Sequence, residues 1–254
     1  MFFHHRWPIF YEDNHLLVLY KPAGLIMQRD HKNKANLLDL ARRWIKERKG
    51  KPGNVFVGMV HRLDAPVAGV VVLTRTSKAA ARLSDQFRRG SIEKQYLAVV
   101  QGRPPRAADR LENFMVRSGR FSRIAPRQAP GVQKAALSYR VLDILENKSL
   151  LAVTLETGRR HQIRLQLSHL GCPILGDVHY GAASAMAHGR IALVARGIAF
   201  DHPTLKTRLC FESPLPLGWP WPAEEKEENG TQPLWTIEEY AQAGLVLPVA
   251  AGLV

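Results

Sequence analysis

From the N-terminus the apolar positions alternate between a strand period and a helix period. Residues 7–24 read as a hairpin: Glu12-Asp13-Asn14 is its turn, and the apolar run 16–20 is a strand that stops at Pro22. Asn36 is placed to cap a helix running to Lys49, with Leu38, Ala41 and Ile45 on one face and Gly50 as its stop. Residues 54–60 predict a strand, and the unbroken apolar run 70–73 predicts one buried on both faces. Ser77 is read as the cap of a helix over 78–89, with Ala80, Leu83 and Phe87 as its stripe and Gly90 as its end. Residues 91–100 return to strand. Residues 137–145 and 150–156 alternate around Glu146-Asn147-Lys148, the pattern of an antiparallel hairpin. A helix follows over 161–170, with Ile163, Leu167 and Leu170 inward and Gly171 as its stop; strands over 191–200 and 207–211 close the pattern. Several strands per helix, joined by hairpins, define an α+β chain around a mixed sheet.

Two stretches break the rhythm. Residues 102–136 are rich in Gly, Pro, Arg and Ala with weak periodicity, and are read as a long basic loop. After Pro222 the composition turns acidic: residues 224–230 form a charged linker, 234–247 can form a short helix, and the last residues are small and apolar. The expected organisation is one domain over 1–221 and an acidic linker and tail over 222–254.

Composition sharpens this picture. With 46% apolar and 23% charged residues the chain is an ordinary folded protein, long enough to bury a sizeable core. No apolar run approaches the roughly 18–20 residues of a membrane-spanning helix. The opening Met-Phe-Phe-His-His-Arg-Trp-Pro lacks an apolar core and a small-residue cleavage site, so no secretory signal is expected. Two separated cysteines, Cys172 and Cys210, argue against a disulfide scaffold and fit a reducing cytoplasm. The formal charge is +14. Beyond residue 221 one lysine stands against six glutamates, so residues 1–221 alone carry +19. A field of that sign and size attracts polyanions, and RNA or DNA is the commonest of them.

Four blocks carry the chemistry. They are Lys21-Pro22-Ala23-Gly24; His61-Arg62-Leu63-Asp64 with Gly69 and an apolar strand after it; Glu93-Lys94-Gln95-Tyr96-Leu97-Ala98; and Thr157-Gly158-Arg159-Arg160-His161-Gln162-Ile163-Arg164, running on to Gly176-Asp177 and Tyr180-Gly181. In this order and spacing they resemble the RluA family of RNA pseudouridine synthases over about residues 8–217. The chain departs from the family at Val67-Ala68, where hydroxyl side chains are usual, and at Val194, where a histidine is common. The resemblance implies a pseudouridine synthase fold: a bent, mixed, mostly antiparallel sheet in two halves with flanking helices and loops. It also implies a catalytic domain without the small N-terminal RNA-binding module of some family members.

The residues suit that reaction. Uridine must leave its ribose at N1 and return at C5, an isomerisation that needs no cofactor. A carboxylate nucleophile, attacking either the sugar C1′ or the uracil C6, can hold the detached intermediate. The resemblance gives that role to Asp64, with Arg164 as the cation that keeps it ionised and Tyr96 as the aromatic and hydroxyl partner of the base. It gives Arg62 the space left when the target base is flipped out, at a cost of roughly a few kcal/mol. His61, Arg117, Arg120, Arg123 and Arg159 complete the expected RNA-binding set. The histidines show no ligand spacing with cysteines or acids, so no metal is expected. The implied substrate is structured ribosomal or transfer RNA, with no obligate protein partner and no membrane. A non-catalytic RNA-binding protein is the rival class. An aspartyl phosphotransferase is weaker, since His61-Arg62-Leu63-Asp64-Ala65-Pro66 lacks the second carboxylate such enzymes use with magnesium.

Overall fold

The computed structural model describes residues 9–29, 36–50, 53–216 and 218–222. The tail helix expected over 234–247 and the linker over 224–230 lie outside them. The chain divides into two compact units. The first holds described residues from 9 to 92 and from 197 to 216; the second holds 93–196 and 218–222.

In the first unit, β1 (Ile9–Glu12) and β2 (Leu16–Lys21) form the expected hairpin, with Asp13 Oδ1 accepting the N–H groups of His15 and Leu16 at the turn. β2 pairs antiparallel with β4 (Ala68–Thr74), in register Lys21↔Gly69 to Leu16↔Thr74. Both strands are buried along their whole length, which is why they read as unbroken apolar runs. The strand expected over 54–60 shrinks to β3 (Gly58–Met59). α1 (Leu37–Lys49) begins at Asn36, whose side chain accepts the Asp39 N–H, and ends at Gly50 with φ 56°. α2 (Ser77–Arg89) differs from expectation by one residue at its start: Thr76, not Ser77, is the cap, its Oγ1 accepting the Ala79 N–H at 3.2 Å. The buried positions of α2 shift accordingly to Ala79, Leu83 and Gln86. Leu16, Val18, Val70, Val72, Leu83 and Ile92 pack with Ile198 and Phe200 in one core.

In the second unit, β5 (Glu93–Gln101) pairs with β9 (Lys148–Leu155), β9 with β8 (Val132–Leu145), β8 with β6 (Ala108–Ser118) and β6 with β7 (Phe121–Ala125), all antiparallel. The stretch read as a long basic loop is thus a hairpin, β6–β7, turning at Gly119 and Arg120. Its alternation is hidden because apolar residues stand on both faces, Leu111, Met115 and Ile124 on one and Phe114, Val116 and Phe121 on the other, and only Met115 and Ser122 are buried. β8 also begins five residues before the apolar run that announces it. α3 (Gln162–His169) follows β9. β10 (Leu193–Asp201) starts in the second unit and ends in the first, where β11 (Arg208–Glu212) pairs with it antiparallel.

Candidate active site

In the first unit the site is a loop held at both ends. β2 ends in Lys21, and Pro22 stops the ladder. The turn that follows needs Gly24, at φ 91°, whose N–H donates to the Ala65 carbonyl at 2.8 Å. Lys21 itself is fully buried, and its Nζ donates to the carbonyls of Pro22 (2.9 Å), Leu25 (2.7 Å) and Ala65 (3.2 Å). Three acceptors match the three N–H groups of an ammonium. Burial pushes the Lys21 pKa down to about 7, and the nearby Asp64 charge works in the opposite direction. Ala65, gripped twice, is the residue after Asp64, and Val67 N–H closes a turn on the Asp64 carbonyl at 3.1 Å.

At the other end, His61 Nε2 accepts the Val72 N–H at 2.9 Å, and the ring stacks on Phe87 at 5.2 Å. Nε2 therefore carries no hydrogen, which leaves the ring proton on Nδ1. Buried Leu63 anchors the middle. Between these anchors Asp64 is half-buried and Arg62 is exposed.

In the second unit, Arg164 comes from α3. Its Nε and Nη2 grip Asp177 Oδ2 and Oδ1 at 2.6 and 2.8 Å, with both side chains buried. Its guanidinium lies 5.0 Å from the centre of the Tyr180 ring. Asp177 depends on Gly176: a Cβ there would meet Met186 Cγ at 2.7 Å and the Arg190 carbonyl at 2.8 Å, at φ +87°. Tyr180 OH lies 2.8 Å from His161 Nδ1 and accepts the Ser122 N–H at 3.1 Å. Ser122 Oγ in turn donates to the Arg160 carbonyl at 2.8 Å. The β6–β7 hairpin is thereby tied to the start of α3, where His161 adopts φ 55°. Gln162 Oε1 accepts from Thr157 Oγ1 and from the Arg159 N–H, and its Nε2 donates to the Ala136 carbonyl. Tyr96, half-buried, stands on β5.

The expected RNA-binding arginines share a property. Among the described residues, Arg62, Arg117, Arg120, Arg123 and Arg159 are exposed and make no ion pair. By contrast, Arg42, Arg75, Arg106 and Arg110 each pair with an acid. His61 is committed to Val72 and Phe87 in a way its residue type did not announce. The geometry adds Lys21, Asp177 and Tyr180, which the sequence shows as parts of blocks without assigning them roles. Their signals were a lysine ending an apolar strand before a proline, and a Gly-Asp pair three residues ahead of a tyrosine. Among the described residues no group of three or more His, Cys, Asp or Glu side chains is placed to hold a metal, and no helix is long and apolar enough to cross a membrane.

Residues 15–169 match the RNA pseudouridylate synthase family model. The chain is 33% identical over 219 residues to ribosomal large subunit pseudouridine synthase D of Zymomonas mobilis, covering 82% of this chain and 69% of that one. It is 30% identical over 231 residues to tRNA pseudouridine synthase C of Haemophilus ducreyi, covering 83% and 92%. The solved structure of human RNA pseudouridylate synthase domain containing 4 superposes with a TM-score of 0.71 at 25% identity, over 82% of this chain and 88% of the other. The chain belongs to the RluA family of RNA pseudouridine synthases. It has their α+β fold, and it is an isomerase that acts on RNA.

Proposed function

We propose that this isomerase converts specific uridines of structured ribosomal or transfer RNA to pseudouridine, with Asp64 as the nucleophile and residues 1–221 as the catalytic domain. The observation that carries the reading is the Asp64 loop: a half-buried carboxylate on a backbone pinned by His61 on one side and by Lys21 and Gly24 on the other. A pinned carboxylate can attack without first being ordered.

The chemistry runs as follows. Asp64 adds to the sugar C1′ or the uracil C6, and the N1–C1′ bond breaks. The uracil turns, C5 bonds to C1′, and the bond between Asp64 and C1′ or C6 breaks, which frees the carboxylate. The C5 proton leaves and N1 ends protonated, so nothing is oxidised, reduced or hydrolysed. Arg164 is the cation that family resemblance assigns to the carboxylate; Asp177 and Tyr180 fix its orientation within its own unit. Tyr96 offers a ring face to the base and a hydroxyl for the proton lost from C5. Arg62 fills the stack left by the flipped base. Arg117, Arg120, Arg123 and Arg159 supply phosphate contacts, supported by their exposure and lack of acidic partners. The choice between ribosomal and transfer RNA is open to both kinds of relative. A cytoplasmic setting is inferred from the two free cysteines.

RNA made with C5-tritiated uridine tests the reaction, because forming the C5–C1′ bond releases tritium to water. Mapping pseudouridine in total RNA from cells with and without the chain identifies the target. Absence of tritium release from every cellular RNA tested would leave a binding protein that has kept the fold.

A further inference from the structure

β5 carries a second side chain aimed like Tyr96. Strand side chains alternate, so Lys94, two residues earlier, lies on the same face of the second unit's sheet as Tyr96. Continuing the register Gln95↔Thr154 sets Lys94 opposite Leu155, the last residue of β9. The chain then turns through Glu156, Thr157 and Gly158 to Arg159. Arg159 is not loose: its N–H donates to Gln162 Oε1 at 2.9 Å, and its Nε donates to the Lys134 carbonyl on β8 at 3.0 Å. β5 and β8 are the two neighbours of β9. Lys94 and Arg159 therefore flank the end of β9, their anchoring strands about 10 Å apart.

The Arg159 charge is felt at Lys94, and among the described residues neither cation pairs with a carboxylate. Among the described residues the Lys94 ammonium makes no hydrogen bond or ion pair, although the side chain is half-buried. Burial first, and then the Arg159 charge, lower its pKa. The opposite face of the second unit's sheet is built differently. There Arg110 pairs with Glu112 and Glu156, and Lys134 pairs with Glu112, each cation having an acid beside it. Leaving a half-buried lysine beside an arginine with no acid costs stability in the free protein, since both burial and like charge oppose its ionisation. An anion between them removes both penalties.

We propose that Lys94 and Arg159 form a clamp for the phosphodiester backbone of the RNA, adjacent to the base-facing Tyr96. The inference rests on the reading of Tyr96 as a base contact and adds Lys94 as a binding residue. Lys94 acts as a point charge on the phosphate, and Arg159, fixed at its Nε, presents the rest of its fork. The clamp positions the strand and reads no sequence.

The test uses the full chain with a substrate RNA on which the wild type releases tritium, and three variants: Lys94→Met, Lys94→Arg and Arg159→Met. Affinity is measured across a salt series, and conversion is measured in a single turnover at saturating RNA. Lys94→Met should weaken binding about tenfold or more at low salt. It should also lower the slope of log affinity against log salt by about 0.7–0.9, the share of one phosphate. Single-turnover conversion should stay within a few-fold of wild type, and Lys94→Arg should restore most of the affinity. Lys94→Met and Lys94→Arg with wild-type affinity and slope would overturn the clamp while leaving the enzyme reading intact. A wild type that neither binds RNA nor releases tritium would remove the reading beneath it and the clamp together. Weak binding of both Lys94 variants with an unchanged salt slope would show a packing role and also count against the clamp.

Discussion

In the first unit a half-buried carboxylate, Asp64, sits on a loop whose backbone is gripped by a buried ammonium, Lys21. In the second a buried guanidinium, Arg164, is gripped directly by a buried carboxylate, Asp177. Each unit thus fixes a charged side chain with a concealed opposite charge, by different routes. Lys21 reaches the Asp64 loop through main-chain carbonyls and leaves the carboxylate itself to other partners. Asp177 takes two nitrogens of the Arg164 fork. A group held through its backbone can lose its own charge with little structural cost, whereas a group held through its charge cannot.

That contrast orders the predictions. Asp64→Asn should keep folding and RNA binding while turnover drops by several orders of magnitude. Tritium release at the wild-type rate from a proven substrate would refute the nucleophile assignment. Arg164→Met should lose most activity and also strand Asp177 in the interior, at a cost of about 3–5 kcal/mol. Denaturant unfolding separates the two variants: a stability loss for Asp64→Asn as large as that for Arg164→Met would erase the contrast.

Lys21 gives a pH signature of intermediate size. Its pKa is lowered from 10.5 to about 7 in the folded state. Between those values the unfolded chain binds a proton that the folded chain does not, so this group's contribution to stability rises with pH across that window. The stability of wild type relative to Lys21→Met should therefore increase from pH 7 to pH 10. A difference that stays flat would mean that its three carbonyl acceptors hold Lys21 charged throughout. The smallest effect is expected from truncation after Pro222, which removes net negative charge. Chemistry should persist and nonspecific RNA binding should tighten modestly, as measured by filter binding at low salt. A truncated protein that folds and binds RNA without turning over would give the tail a part in catalysis.

Much of this was written in the chain. The buried strands β2 and β4 announce themselves as unbroken apolar runs, and Asn36 with Gly50 brackets α1 at both ends. The β6–β7 hairpin was missed because Phe114 and Val116 stand beside Met115 on the other face, so apolar residues fall on both faces and no period-two signal emerges without the partner strand β8. Thr76 displaced Ser77 as a cap because adjacent hydroxyl residues offer the same chemistry and only backbone geometry chooses between them. The four blocks singled out Asp64, Tyr96 and Arg164 as candidates. They did not disclose that His61 spends its ring nitrogen on Val72 or that Asp177 holds Arg164, since both contacts join residues brought together only by tertiary folding.

β10 has a consequence for how the chain is made. Ile198 and Phe200 complete a core whose other buried members lie at or before Ile92. A ribosome must add residues 93–196, the bulk of the second unit, before it delivers them. At ordinary elongation rates that interval is on the order of ten seconds. During it β2, β4 and α2 exist without the strand that finishes their core, while the second unit is made in a nearly continuous stretch and can pack as it emerges. The unit synthesised first is thus the one finished last. Its apolar strands are the part of this protein most exposed to misassociation in the cell, and the part for which a holding chaperone would matter most.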